Sequence, residues 1–342
     1  LIPEDTKAKS LQITSKEGVM GKLVVKSKKV FIILLLFLSV SILSIVSGEN
    51  VYATEGGGGA YPNGAEDFFC GVVPPPGYYF INYFLYYHAD EFNNEDGDNV
   101  DRDFDLDVVA NTFRFIYITK HKIFGGFWGV HMFVPIVYQD VTTSTFAGGV
   151  KSDDSKTGLG DIIVDPFILS WHFKNWHLLT AIDIYMPTGR YDNDDLANTS
   201  RNYWTFEPIF AFTYISDGGF EVSSKFMYDI NTENTDSPSG DYQSGQEFHF
   251  DYAVGYKVNN WNLGVAGYYY KQITDDEIND RDATFPAFLE FDEGFKGEVF
   301  AVGPAVKYNY KNMSFTLKYL WETAVEHRPE GGNLWFKFLY AF

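Results

Sequence analysis

From residue 77 to residue 342 the chain repeats one pattern: short stretches in which apolar or aromatic residues alternate with polar ones. Trp204, Phe206, Pro208, Phe210, Phe212 and Tyr214 fall on one face of such a stretch, with Tyr203, Thr205, Glu207, Ile209, Ala211 and Thr213 on the other. Phe248, Phe250, Tyr252 and Val254 oppose Glu247, His249 and Asp251 in the same way, and Phe315, Leu317, Tyr319 and Trp321 oppose Ser314, Thr316, Lys318 and Glu322. A period of two is the signature of strands with two unlike faces, and no helix can hold it. Twelve such stretches are legible, near 78–89, 105–118, 127–138, 159–172, 176–187, 203–215, 219–231, 245–258, 261–272, 297–309, 312–325 and 333–342.

The links decide what the apolar faces meet. Those near 119–126, 173–175, 216–218, 259–260 and 310–311 are short, whereas those near 90–104, 139–158, 188–202, 232–244, 273–296 and 326–332 are mostly long and polar. Short and long links alternate, as in an outer-membrane barrel with tight periplasmic turns and longer external loops. In a soluble sandwich the apolar faces would meet each other instead. Leu334, Phe336, Phe338, Tyr340 and Phe342 end the chain on an alternating aromatic face, a form that the barrel assembly machinery is expected to recognise at Phe342. Aromatics make up 18% of the chain while mean hydropathy is only -0.17, which fits strands that expose rings to lipid and carry charge on their other side. The fold expected is therefore all-β: a closed antiparallel transmembrane β-barrel of about 12 strands over 77–342.

Two segments precede it. Residues 1–53 read as an upstream extension (1–19) and a cleaved export signal: Lys22, Lys26, Lys28 and Lys29 precede an apolar run over 30–46, and Val51-Tyr52-Ala53 forms a cleavage site. Residues 54–76 are rich in Gly and Pro. The Pro74-Pro75-Pro76 tract cannot sit in a central strand, since proline has no ladder donor, and the segment is read as irregular, either entering the lumen as a plug or trailing in the periplasm.

Net charge is -20, which excludes nucleic acid as a partner, because such binding rests on Lys and Arg neutralising phosphates. The single cysteine, Cys70, excludes an intramolecular disulfide and a CxxC site. Loop 93–105 is rich in Asp and Asn but lacks EF-hand spacing, Asp161-x-x-x-Asp165 lacks a partner set, and the scattered histidines form no zinc motif, so no metal or cofactor is expected. Ser170, His172 and His177 are the nearest approach to a hydrolase set, but they stand beside a periplasmic turn, so the chain is not read as an enzyme.

The polar faces supply the residues expected to line a lumen and touch a solute: Asn82, Asp107, His131, Asp165, Asp183, Glu207, Lys225, Asp229, Glu247, His249, Asp251, Lys318, Glu322 and Lys337. Twelve strands lie between the eight that side chains nearly fill and the sixteen that leave an open channel, so a narrow selective pore is expected. The partners are outer-membrane lipid and lipopolysaccharide, and a small solute. A structural or adhesive barrel with cation- and lipopolysaccharide-binding acidic loops is the alternative, and an acyl hydrolase a more remote one.

The run Tyr61-Pro62-Asn63-Gly64-Ala65-Glu66-Asp67, followed by Pro74-Pro75-Pro76-Gly77-Tyr78-Tyr79, resembles the start of the phenol meta-pathway degradation outer-membrane proteins. The blocks around Arg190, around Tyr203 and Trp204, at Ser244-Gly245-Gln246-Glu247-Phe248 and at Arg328-Pro329-Glu330-Gly331 resemble the same family in order, so the resemblance spans about 56–342. It implies an outer-membrane protein that admits aromatic or other hydrophobic compounds for catabolism, and carries no catalytic set with it.

Overall fold

The computed structural model describes residues 58–144, 151–237, 240–279 and 296–342. The export signal and the upstream extension lie outside these residues. The strands in chain order are β1 (Gly77–Phe92), β2 (Asp105–Ile123), β3 (Gly126–Thr143), β4 (Ser152–Leu159), β5 (Ile162–His172), β6 (Trp176–Met186), β7 (Thr205–Ile215) and β8 (Phe220–Asn231). They continue as β9 (Glu233–Ser237), β10 (Gly240–Gln243), β11 (Glu247–Val258), β12 (Trp261–Gln272), β13 (Glu277–Asn279), β14 (Glu298–Tyr310), β15 (Met313–Glu326) and β16 (Pro329–Ala341).

Every neighbour in the main sheet is antiparallel, and the sheet closes where β1 pairs with β16, from Tyr79 opposite Ala341 to Phe92 opposite Pro329. β4 and β5 both pair with β3 and together form one stave, so the wall has twelve staves. Apart from β4, which pairs on one side only, closure leaves the wall no edge, the condition for strands to cross hydrocarbon, where no water could satisfy unpaired backbone groups. Among the described residues no helix is long and apolar enough to cross a membrane.

The turns at one end are tight, and the link read at 119–126 is shorter than that, only Phe124 and Gly125 separating β2 from β3. At the β2–β3 turn Phe124 and Gly125 both take positive φ, 50° and 85°, the backbone of a two-residue hairpin whose twist matches its strands. At the other end four polar strands escape the sequence reading. β4 continues along the upper part of β3, from Leu159 opposite Ile136 to Ser152 opposite Thr143, within what reads as a link at 139–158. β9, β10 and β13 form a separate small sheet inside what read as the links near 232–244 and 273–296. These strands stand clear of the stretches that alternate, so nothing writes a period of two into Ser152-Asp153-Asp154-Ser155-Lys156. The last external link is also shorter than 326–332: only His327 and Arg328 separate β15 from β16.

The faces sort as the barrel demands. Phe206, Trp204, Phe220, Leu317, Trp321 and Phe336 are exposed on the outside, and Phe226 stacks on Phe210, Phe212 and Phe248 across neighbouring strands of the outer wall. The inward residues are buried, charged ones included.

Replacing Phe226 by Arg should therefore cost about 2–4 kcal/mol, the penalty for a cation on a lipid-facing wall near mid-depth. Urea titration of the protein folded into vesicles measures it, and an unchanged midpoint would mean that this face does not meet lipid.

Candidate functional site

The segment before β1 does not leave the barrel. Tyr61 donates its hydroxyl to Asp251 Oδ2 on β11 at 2.6 Å, and the backbone amides of Gly64 and Glu66 donate to the same carboxylate at 2.9 and 2.8 Å. Further along, Phe69 N donates to Glu221 Oε1 at 2.6 Å, and Gly71 N to Thr213 Oγ1 at 3.0 Å. Since Asp251 sits at mid-strand while Thr213 and Glu221 flank a tight turn, the segment runs lengthwise along the inner wall toward the tight-turn end. Gly64 shows why the Tyr-Pro-Asn-Gly run needs its glycine: φ is 83°, and a Cβ there would lie 2.8 Å from both Leu320 and Tyr268.

The acids of this segment meet cations on the opposite arc of the wall. Glu66 pairs with Arg114 at 3.0 Å and Lys337 at 3.1 Å, and accepts the Tyr83 hydroxyl at 3.1 Å. Asp67 pairs with Lys337 at 2.6 Å and Lys318 at 3.6 Å, and Lys318 also donates to the Glu66 carbonyl at 2.6 Å. Lys307 stands 4.7 Å from the centre of the Phe69 ring, and Lys225 4.5 Å from that of Tyr61, both as cation–π contacts. The lumen is thus split. Arg114, Lys307, Lys318 and Lys337 come from β2, β14, β15 and β16, whereas Asp165, Asp183, Glu207, Glu221, Asp229, Glu247 and Asp251 come from β5 to β8 and β11.

Within the acidic arc, His131 is held from both sides: its Nε2 lies 2.6 Å from Asp183 Oδ1 and its Nδ1 2.9 Å from Arg114 Nη2. Arginine can only donate, so Nδ1 accepts, and Nε2 carries the proton given to Asp183. Asp165 joins this group because the ladder breaks around Pro166: β5 and β6 lose register between Val164 and Leu169, and Phe167 N donates to Asp165 Oδ1 at 2.6 Å. Glu207 accepts the Tyr185 hydroxyl at 2.9 Å and faces Lys225 at 3.6 Å. Glu322 accepts hydroxyls from Tyr87 and Tyr268, and Asn231 reaches Glu247 at 3.3 Å.

Beside the segment, on the side of β1 to β3, β5 and β6, is a cavity of about 230 Å³. Leu85, Ala110, Phe133, Val137, Ile163 and Trp335 give it apolar walls, while Glu66, Asp183, Tyr185, Lys225 and Arg201 bring polar groups to its edge.

Of the fourteen wall residues chosen from sequence, twelve point inward and are brought together here. Asn82 and Asp107 do not. On β1 the inward set is Tyr79, Ile81, Tyr83, Leu85 and Tyr87, so Asn82 faces outward, where its amide donates to the Asn111 side chain. Asp107 also faces out, at the rim, accepting from Tyr86 at 2.8 Å and lying 3.2 Å from His88. On β1 the inner face uses tyrosines, whose rings look lipid-facing in sequence but whose hydroxyls serve buried carboxylates, and on β2 the alternate residues Leu106, Val108 and Ala110 give the inner face no polar mark, so Asp107 reads as inward. Arg114, Lys307, Tyr185 and Arg201 were missed. Arg114 alternates with apolar residues in a stretch that gives no clue to its partner, Glu66.

Among the family-motif residues, Pro62 is exposed and Asn63 half-buried in the lumen segment; Arg190 Nη1 donates to the Thr157 carbonyl at 3.1 Å; Tyr203 is buried and Trp204 exposed. Asp101 in the acidic 93–105 loop is spent on Thr143 and Ser144, at 2.6 and 2.7 Å, as a loop latch. Ser170 Oγ has no hydrogen-bond partner, and His172 and His177 bond each other at 2.9 Å, so no nucleophile–base contact links them.

Residues 89–338 match the family described as "Putative MetA-pathway of phenol degradation". The chain belongs to this family. A comparison with curated proteins found no match. Among solved structures, an outer membrane channel from Pseudomonas putida F1 superposes with a TM-score of 0.65 at 16% identity, over 79% of this chain and 97% of that one. The β domain of the Bordetella autotransporter BrkA gives 0.45 at 10%, over 78% and 100%, and the translocator domain of NalP from Neisseria meningitidis 0.43 at 8%, over 79% and 90%. The first likeness shares the barrel fold, and the fold places this family member in the outer membrane.

Glu66→Ala would leave the buried Arg114 without its carboxylate, and Lys337 with Asp67 alone. Removing one partner of a buried pair costs about 3–5 kcal/mol, here borne by the docking of the segment. Limited proteolysis of the folded barrel should then cut within 58–76 where the parent resists; equal resistance would show that the segment is held by its backbone contacts alone.

Proposed function

We propose that this barrel is a narrow channel that passes small organic solutes, aromatic ones among them, across the outer membrane to a catabolic pathway. The observation that carries this reading is the cavity inside the wall. Its walls are apolar and aromatic, with hydroxyls and charges at one side, the mixture that ligand sites use to hold an apolar body and orient a polar tip. Its volume of about 230 Å³ suits a single substituted ring, since a dry cavity of about 150 Å³ accepts benzene. The family's link to phenol degradation fits such a cargo, and the P. putida protein is itself described as an outer membrane channel.

On this reading the 58–76 segment narrows the lumen, so that the barrel conducts selectively and does not act as an open sieve. Its Glu66 and the inward wall residues, from His131 to Lys337, are the groups a solute meets. We further propose that the chain is exported by the signal over 20–53 and cleaved after Ala53. The exposed Phe342 serves as the assembly signal, lipid and lipopolysaccharide surround the wall, and the barrel performs no catalysis of its own.

Uptake of phenol, toluate and a sugar into vesicles holding the folded protein tests the reading. Phenol and toluate should enter faster than the sugar. Ala110→Trp, which fills the cavity from β2, should lower aromatic uptake by roughly tenfold while heat-modifiable gel mobility stays that of a folded barrel. Equal exclusion of all three solutes by folded protein would remove the transport claim.

A further inference from the structure

We propose that the lumen holds a first-row divalent transition ion on Glu207, Asp229 and His249. These three come from β7, β8 and β11, adjacent staves, and their side chains converge across them: on β8 Asp229 lies diagonal to His249, which is opposite Met227, while Glu247 is opposite Asp229. One donor atom from each lies within 4.8 Å of the others. His249 Nε2 stands 3.3 Å from Asp229 Oδ2 and 3.8 Å from Glu207 Oε2. Metal–ligand distances of roughly 2.0–2.2 Å give ligand–ligand edges of about 2.8–3.6 Å in octahedral or tetrahedral geometry, so a small closure of the side chains completes the set.

The hydrogen bonding points to a cation. All three residues are fully buried, at 0% exposure. Neither oxygen of Asp229, neither ring nitrogen of His249, nor Oε1 of Glu207 has a hydrogen-bond partner. Buried polar atoms are almost always bonded, and each exception calls for an explanation such as an unseen water or ion. The neighbouring His131, Asp165 and Asp183 form a contrast. They lie equally close, but both nitrogens of His131 are used by Asp183 and Arg114, and Asp165 Oδ2 alone of their donor atoms is unbonded.

Charge leads to the same place. Asp183, Glu207, Asp229 and Glu247 crowd their carboxylates together here, and the cations facing them include Lys225, 3.6 Å from Glu207, and Arg114, which Glu66 already engages. A divalent ion between Glu207 and Asp229 would offset their charge and leave Lys225 to the carboxylates beside them. The donor set, one imidazole with two carboxylates, favours Zn²⁺, Mn²⁺ or Fe²⁺ over Ca²⁺ and Mg²⁺, which take oxygen ligands. Tyr185 orients Glu207 from outside the set, the part that outer partners play at metal sites. Tyr185 and Lys225 also line the cavity, which gives the ion a way in. The bound ion would tie three staves together beside the Tyr61 ring, whose centre is 5.0 Å from that of His249.

The test uses the full chain folded in detergent, stripped with EDTA and titrated calorimetrically with Zn²⁺, Mn²⁺, Ca²⁺ and Mg²⁺. One equivalent of Zn²⁺ or Mn²⁺ should bind, with Ca²⁺ and Mg²⁺ weaker by at least about tenfold. Asp229→Asn and His249→Gln should each weaken binding by more than the 10–100-fold typical of losing an outer partner, with gel mobility confirming that both fold. Co²⁺ should develop ligand-field absorption in the parent and not in His249→Gln. The proposal is overturned if the stripped protein binds no ion, as it would if Glu207 and Asp229 share a proton instead. It is also overturned if binding survives both variants and disappears only when the rim residues His88 and Asp107 are replaced.

Discussion

Hydrocarbon offers no hydrogen bonds, and that single fact fixes most of this molecule. A strand that crosses the bilayer must give every amide and carbonyl to a neighbour, so the sheet has to close, and it does so between β1 and β16. Once the wall is closed and its outside committed to rings and aliphatic chains, charge can only go inward. A twelve-stave barrel is too narrow to hydrate so many inward charges as bulk water would, and they must find partners across the lumen.

The segment before β1 answers this need on both sides at once. Its carboxylates, Glu66 and Asp67, go to Arg114, Lys318 and Lys337, while its donors, the Tyr61 hydroxyl and the amides of Gly64, Glu66 and Phe69, go to Asp251 and Glu221. An extended peptide carries amides and side chains in different directions, which suits it to bridge two arcs of opposite charge. The Gly and Pro content that makes 54–76 unreadable as a strand lets it approach the wall closely, as at Gly71, where a Cβ would lie 2.4 Å from Phe212 backbone.

The sequence made the wall legible because lipid writes a period of two into every strand it touches. β7, β8, β11, β12 and β14 to β16 fall within a few residues of where alternation puts them, and the inward placement of Glu207, Lys225, Asp229, His249, Asp251 and Lys318 follows from parity alone. The same rule misleads wherever the contrast fades. Tyr83 and Tyr87 are amphipathic, so β1 was read one residue out of phase and Asn82 turned to the wrong side. Strands β4, β9, β10 and β13 are polar stretches in which the rule has nothing to report. Which inward residues meet could not be read at all. Glu66 and Lys337 are 271 positions apart, and only the closure of the barrel brings them together.

The division of the lumen into a cationic and an acidic arc also explains why the cavity lies where it does. Where the segment reaches a charged partner on either side, it is drawn against the wall. Over β1 to β3, facing the segment near Ala60 and Tyr61, the inward residues are Leu85, Ala110, Phe133, Pro135 and Val137, which offer no charge to pull the segment closer. The gap that remains is apolar on the wall side and polar where Glu66, Asp183 and Lys225 converge. A solute there would sit between hydrocarbon-like walls and the edge of a strong transverse field, with its polar end turned toward the charges. Selectivity in this barrel therefore rests on how the charges are shared between wall and segment, and a change in that pairing would reshape the cavity even where no cavity residue is altered.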